Sequence, residues 1–210
     1  MSEQKPKRRY NSTRRQEQAN QTRRQIVDAA KALFVEKGYS GTTLDAVAQQ
    51  AGVAVETIYA TFGSKRAILS QLVDLSVVGE QKPIPLLDRT GPQVQDHGKQ
   101  QIRLFVHDMR EILERTGPIF EIMYTAAKTE PDIAGYLREL QRERLEGMAQ
   151  FIQYWTSENQ LRQGLYASEA ADTLWALTSA DTYRCFTVGR DWTGDQYEDW
   201  LAKTLIRLLI

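Results

Sequence analysis

Cysteine and histidine are almost absent: the 210 residues include one Cys and two His. Cys185 alone closes no internal disulfide and offers no zinc-ligand spacing, so a reducing, cytoplasmic setting is expected. With only His97 and His107, no phosphate-cradling glycine loop and no metal-ligand spacing, the requirements of a catalytic site are largely missing. No metal and no cofactor are expected. Long apolar runs are missing as well. None approaches the roughly 18 residues of a membrane span, and the basic N-terminus is not followed by the apolar core of a secretory signal. Convincing period-two alternation is absent throughout, which leaves an all-α fold.

What is present is a charge asymmetry hidden by a net charge of zero. Residues 1–74 hold 12 Lys/Arg against 7 Asp/Glu, and the first 24 residues hold 8 against 2. The remainder is acidic in balance. A basic front end points to a polyanion as partner, with a solvated tail as the plain alternative.

Helical spacing then organises the chain. Residues 1–20 lack apolar periodicity and read as a basic, flexible arm. Thr22 and Gln25 have the spacing of a capping box. Ile26, Ala29, Ala30, Leu33 and Phe34 follow as one face, and Gly38 is a terminator. A second short helix opens at Thr42-Thr43 with Leu44, Val47, Ala48 and Ala51 inward, and Gly52 closes it. Ile58 and Phe62 mark a third. Ser64 caps a fourth, which carries Ile68, Leu69, Leu72 and Val73. Pro83, Pro85, Gly91 and Pro92 make 80–97 a bend. Beyond it the apolar stripe resumes from Ile102 to Leu113. Gly117-Pro118 reads as an interruption before a short helix, Pro131 opens a long one, and Ser168 is a candidate cap for the next. The chain thus divides into an arm (1–20), a unit of three helices with its connecting helix (21–78) and a larger helical domain (79–210).

The segment 42–65 carries the chemistry. Two short helices joined at Gly52 form a helix-turn-helix unit, whose second helix fits a major groove about 12 Å wide. Thr42 and Thr43 lie at a helix start, where free N–H groups attract phosphate, although one of them serves as a cap. Thr57 and Tyr59 are outward donors, while Ala54, Val55 and Ala60 suit thymine methyls. Glu56 either accepts from cytosine N4 or is solvated. Lys65 carries a charge within reach of the phosphate backbone.

The runs Gly41-Thr42-Thr43-Leu44-Asp45-Ala46-Val47-Ala48, Ala51-Gly52-Val53, Thr57-Ile58-Tyr59-Ala60-Thr61-Phe62 and Ser64-Lys65-Arg66-Ala67-Ile68-Leu69 resemble a TetR-family repressor. So do Ile26-Val27-Asp28-Ala29-Ala30, Phe34 and Lys37-Gly38-Tyr39. The resemblance implies a three-helix DNA-binding domain, a helical ligand-binding domain and a homodimer built largely by the last two helices. It also implies DNA contacts at Thr43, Thr57, Tyr59 and Lys65, mostly with phosphate. Where many members have serine, this chain has Ala54, which removes a hydroxyl at the start of the recognition helix.

In the second half, Met109, Phe120, Met123, Tyr124, Phe151, Trp155, Trp175 and Tyr183 are cavity candidates, although such stripes are more often plain core. Thr178, Tyr124 and Tyr183 are candidates to orient a small-molecule effector. Arg144 interrupts an apolar stripe and is expected to be solvated, with an acidic effector as the alternative. Leu174, Leu177, Leu201, Leu205, Leu208 and Leu209 are expected at a dimer interface, with packing inside the chain as the alternative. The expected function is a sequence-specific, effector-released regulator acting on double-stranded operator DNA. The rival readings are a regulator without an effector and a helical enzyme.

Overall fold

The computed structural model describes residues 12–79, 97–157, 159 and 161–210. Most of the expected arm, with Arg8 and Arg9, and the bend at 80–96 lie outside the described residues. Those described form nine helices and no strand. In order they are α1 (Ser12–Gly41), α2 (Leu44–Ala51), α3 (Val55–Thr61), α4 (Lys65–Val78), α5 (His97–Ala126), α6 (Pro131–Trp155), α7 (Ala167–Leu177), α8 (Ala180–Thr187) and α9 (Gly194–Leu209). No helix among the described residues is long and apolar enough to cross a membrane. The chain forms two compact units, Met1–Leu72 and Val73–Ile210, which divide inside α4 and not at its end.

In the first unit, α1 starts at Ser12 instead of at the expected Thr22 cap. The Arg, Gln, Glu and Ala side chains before Thr22 are good helix formers, so a helix anchored by buried Ile26, Ala30 and Phe34 extends backwards through them. Arg14 and Arg15 are exposed along this extension, and Arg23 and Arg24 are exposed just after it. Gly38, at φ +72°, breaks the helical path where the sequence predicts. Its left-handed conformation suits glycine because no Cβ meets the carbonyl. The core of the unit unites Ile26, Leu33, Phe34 and Tyr39 with Val47, Ile58, Ile68 and Leu69.

In the second unit, α5 runs unbroken through Gly117-Pro118, contrary to the interruption read from the sequence. An interior proline removes one backbone hydrogen bond and costs about 3 kcal/mol. Here Leu113, Thr116, Ile119 and Met123 are buried on both sides of it, and that packing holds the helix together. The stretch after 166 breaks instead at Thr178-Ser179. Ser179 caps α8 by accepting from the Thr182 N–H at 3.1 Å. A reciprocal box of Thr193 and Gln196 starts α9. The core joins Ile102, Phe105, Val106, Ile152, Trp155, Leu174, Tyr197 and Leu201.

This core corrects most of the expected dimer surface. Leu174, Leu201, Leu205 and Leu209 are fully buried within the chain's own second unit, so they have no face left for a partner. Leu177 and Leu208 are half-buried. A periodic stripe says which side of a helix is apolar. It does not say whether the same chain covers it.

Candidate nucleic-acid interface and ligand cavity

The helix-turn-helix is fixed from within. Gly52 takes φ +68° at the C-terminus of α2 and turns the chain toward α3. Its N–H reaches the Gln49 carbonyl at 3.3 Å. Thr43 caps α2, accepting from the Ala46 N–H at 3.1 Å, and stays exposed. Thr42 does not. It is 1% exposed, and its hydroxyl donates to the carbonyls of Gly38 (2.8 Å) and Leu33 (3.2 Å). Thr42 therefore ties the end of α1 to the start of α2 and is withdrawn as a DNA contact.

Lys65 also turns inward. Its ammonium donates to the carbonyls of Tyr39 (2.7 Å) and Thr42 (2.9 Å) and lies 4.2 Å from the Tyr39 ring centroid. These bonds satisfy carbonyls at the end of α1, so the side chain braces the turn. Spacing along the sequence cannot reveal such a fold-back.

On α3, Ile58 is fully buried and sets the orientation of the helix. Tyr59 is 56% exposed, and Ala54, Glu56 and Ala60 are exposed beside it. Val55 and Thr57 are half-buried at the margins. As the sequence implies, Ala54 at the N-cap supplies no side-chain hydrogen bond. Phe62 is half-buried, with the Arg23 guanidinium 4.7 Å from its ring centroid. The result is a short helix whose open side presents a phenol, a carboxylate and small apolar groups.

The second unit contains a partly open, mainly apolar cavity of about 280 Å³. Of the expected ligand residues, Met109, Phe120, Tyr124 and Thr178 line it, joined by Val73, Val77, Ile112, Leu113, Thr116, Leu140, Gln141, Glu143, Arg144, Met148 and Ala180. Sequence reasoning missed most of the latter group. They belong to the same helical stripes, and only packing separates lining from core. Met123, Phe151, Trp155 and Trp175 lie outside this lining. Met123 and Trp155 are fully buried, Phe151 stacks on Phe105 at 4.2 Å, and the Trp175 indole donates to the Gln141 carbonyl. A second, more open cavity of about 270 Å³ between α5 and α8 involves Tyr183 with Phe120 and Tyr124.

Arg144 differs from its expected solvated state. It is half-buried in the cavity wall, and burial lowers its pKa. Tyr124 donates to Asp181 at 3.3 Å. Burial first, and then that carboxylate, hold its phenol above the ordinary range. His107 is accounted for by Glu198, at 3.1 Å. No group of three or more metal-ligating side chains occurs among the described residues.

Fold and site together define a transcription regulator of the helix-turn-helix class. Residues 26–72 match the bacterial regulatory proteins of the tetR family, which supports a TetR-family regulator. It is 26% identical over 187 residues to YdeS of Bacillus subtilis (strain 168), an uncharacterized HTH-type transcriptional regulator. That match spans 88% of this chain and 86% of the relative. The fold is similar to NalD of Pseudomonas aeruginosa, the secondary repressor of the MexAB-OprM multidrug efflux pump. The TM-score is 0.66 at 20% identity, over 91% of this chain and 98% of that one. It is also similar to SmeT in complex with triclosan, with a TM-score of 0.68 at 23% identity, over 89% of this chain and 90% of that one.

Proposed function

We propose that this regulator is a homodimeric repressor that holds an operator with two copies of α3 and releases it when a small molecule occupies the cavity of about 280 Å³. The observation that carries the reading is the α3 face. A fully buried Ile58 anchors a helix whose neighbouring Tyr59, 56% exposed, is the one exposed large hydrophobic side chain among residues 42–65. Tyr59, Thr57 and Thr43 then serve as donors to phosphate and base edges, with Ala54, Val55 and Ala60 against thymine methyls. Glu56 accepts from cytosine. Lys65 acts indirectly, by bracing the start of α2.

Repression and effector release are carried over from NalD, a repressor, and SmeT, which forms a triclosan complex. For release to occur, the effector must bind the two conformers with different affinity. A coupling of about 1–3 kcal/mol weakens DNA binding roughly 5–150-fold. α4 is the natural lever, because Val73 and Val77 near its end line the cavity. Such a protein works in the cytoplasm, where it meets DNA, without a membrane partner.

Selection of genomic DNA fragments with the full chain tests this. The expected result is a pseudopalindrome with half-sites about one helical turn apart, roughly 34–36 Å, or a multiple. Enrichment of unrelated sequences without two-fold symmetry would refute the dimeric operator reading.

A further inference from the structure

We propose that the cavity of the second unit takes an organic anion, with an apolar body about the size of a substituted ring and a carboxylate directed at Arg144. This rests on the reading of that cavity as the effector site.

Arg144 is a wall residue of an otherwise mainly apolar space. Among the described residues, only neutral acceptors hold its guanidinium. Nη1 donates to the Trp175 carbonyl at 2.6 Å and more weakly to the Thr178 hydroxyl at 3.5 Å. Nε and Nη2 both donate to the single side-chain oxygen of Gln141, at 3.3 and 3.1 Å. Nε and Nη2 form the edge of the guanidinium that a carboxylate engages with two oxygens. Gln141 occupies that edge without supplying charge. The Trp175 ring centroid lies 4.8 Å from the guanidinium carbon, and the Asp181 carboxylate acts on it only through space, without a direct bond. A half-buried cation bonded directly to neutral groups alone is incompletely compensated, and a ligand carboxylate adds countercharge in direct contact.

The rest of the lining sets the body of the ligand. Met109, Ile112, Phe120 and Leu140 are apolar. A volume of about 280 Å³ is nearly twice the ~150 Å³ that accommodates benzene. Exposed Glu143 also borders the space and repels an anion there, which favours the pose with the carboxylate at Arg144. Displacing Gln141 has a consequence. Its amide donates to the Tyr124 hydroxyl at 3.3 Å, which donates to Asp181 at 3.3 Å. That chain links α6, α5 and α8, so an anion at Arg144 perturbs all three.

The test is calorimetric titration of the full chain with 2-naphthoate, 4-tert-butylbenzoate and octanoate, each beside its neutral primary amide. At least one acid is expected to bind ten-fold or more tightly than its amide. Arg144→Gln should bring that ratio near one, and Arg144→Lys should retain part of it. Equal binding of acids and amides by the wild type, or an undiminished preference in Arg144→Gln, overturns the anion inference and leaves the cavity as a neutral effector site. Binding of neither acids nor amides overturns both. If Arg144→Gln does not fold, the wild-type ratio and Arg144→Lys decide.

Discussion

The two compact units put their polar side chains to different ends. In the first, polar groups brace and finish the helices, Thr42 and Lys65 from within, and so hold an open outward face. Thr43 caps α2 from an exposed position, Lys65 braces the turn, and Tyr59 stands open on α3. In the second, polar groups are folded into the bundle around a space. Arg144, Gln141, Tyr124 and Thr178 bond to one another or to backbone beside the cavity. An interface for a large, rigid polyanion needs only a helix held at a fixed orientation. A site for a small molecule needs an enclosure with a few placed polar groups. The first demand is met by which residues are buried, the second by where packing is left incomplete.

Four variants sharpen this contrast. The largest effect is expected from Trp155→Ala. Trp155 is 1% exposed and its indole reaches the Gly98 carbonyl at 3.3 Å. Its loss should destabilise the second unit by about 3–5 kcal/mol in chemical denaturation, as for a core aromatic. Little change would return it to the cavity lining. Thr42→Val should lower stability by about 1–3 kcal/mol, since the Leu33 and Gly38 carbonyls lose a buried donor. Operator affinity of the folded variant should stay near wild type. A selective loss of affinity would restore Thr42 as a DNA contact. Tyr197→Phe should cost about 1 kcal/mol through the lost hydrogen bond to the Leu177 carbonyl.

Tyr197 also predicts a pH dependence. Burial, and next the neighbouring Tyr183, raise its phenol pKa, so the unfolded chain releases this proton first. The contribution of Tyr197 is full below about pH 10 and declines as the pH rises beyond it. Denaturation between pH 9 and 11 should show a shallower decline in Tyr197→Phe than in the wild type. The smallest effect is expected from Arg14→Gln with Arg15→Gln. These exposed side chains on α1 should alter the salt slope of DNA binding by about one unit each if they meet phosphate.

The sequence made the first unit legible because its signals are local. Thr43, Gly52 and Ser64 act on neighbours a few residues away, and spacing alone places them. Lys65 escaped because its partner Tyr39 lies 26 residues away, and Thr42 because its burial depends on how the end of α1 packs, with Leu33 nine residues away as well as Gly38 four away. In the second unit the helices were visible but their roles were not. Leu201 and Trp155 have the same periodic signature as Met109 and Phe120, and only the packing of α5, α6, α7 and α9 separates core from cavity. Arg144 was visible as an oddity, yet its partners are distant in sequence or contributed by backbone.

The most direct measurement is titration of a labelled operator, recovered by genomic selection, with wild type and Tyr59→Ala at two salt concentrations. Scrambled competitor should be present throughout. The account predicts tight, competitor-resistant binding by the wild type and an affinity about 10–100-fold lower in the variant, the range for one lost DNA contact of 1–3 kcal/mol. Melting temperatures should be nearly equal, because an exposed side chain away from the core contributes little to stability. Equal affinity of the two proteins would contradict the claim that the outward face of α3 reads DNA.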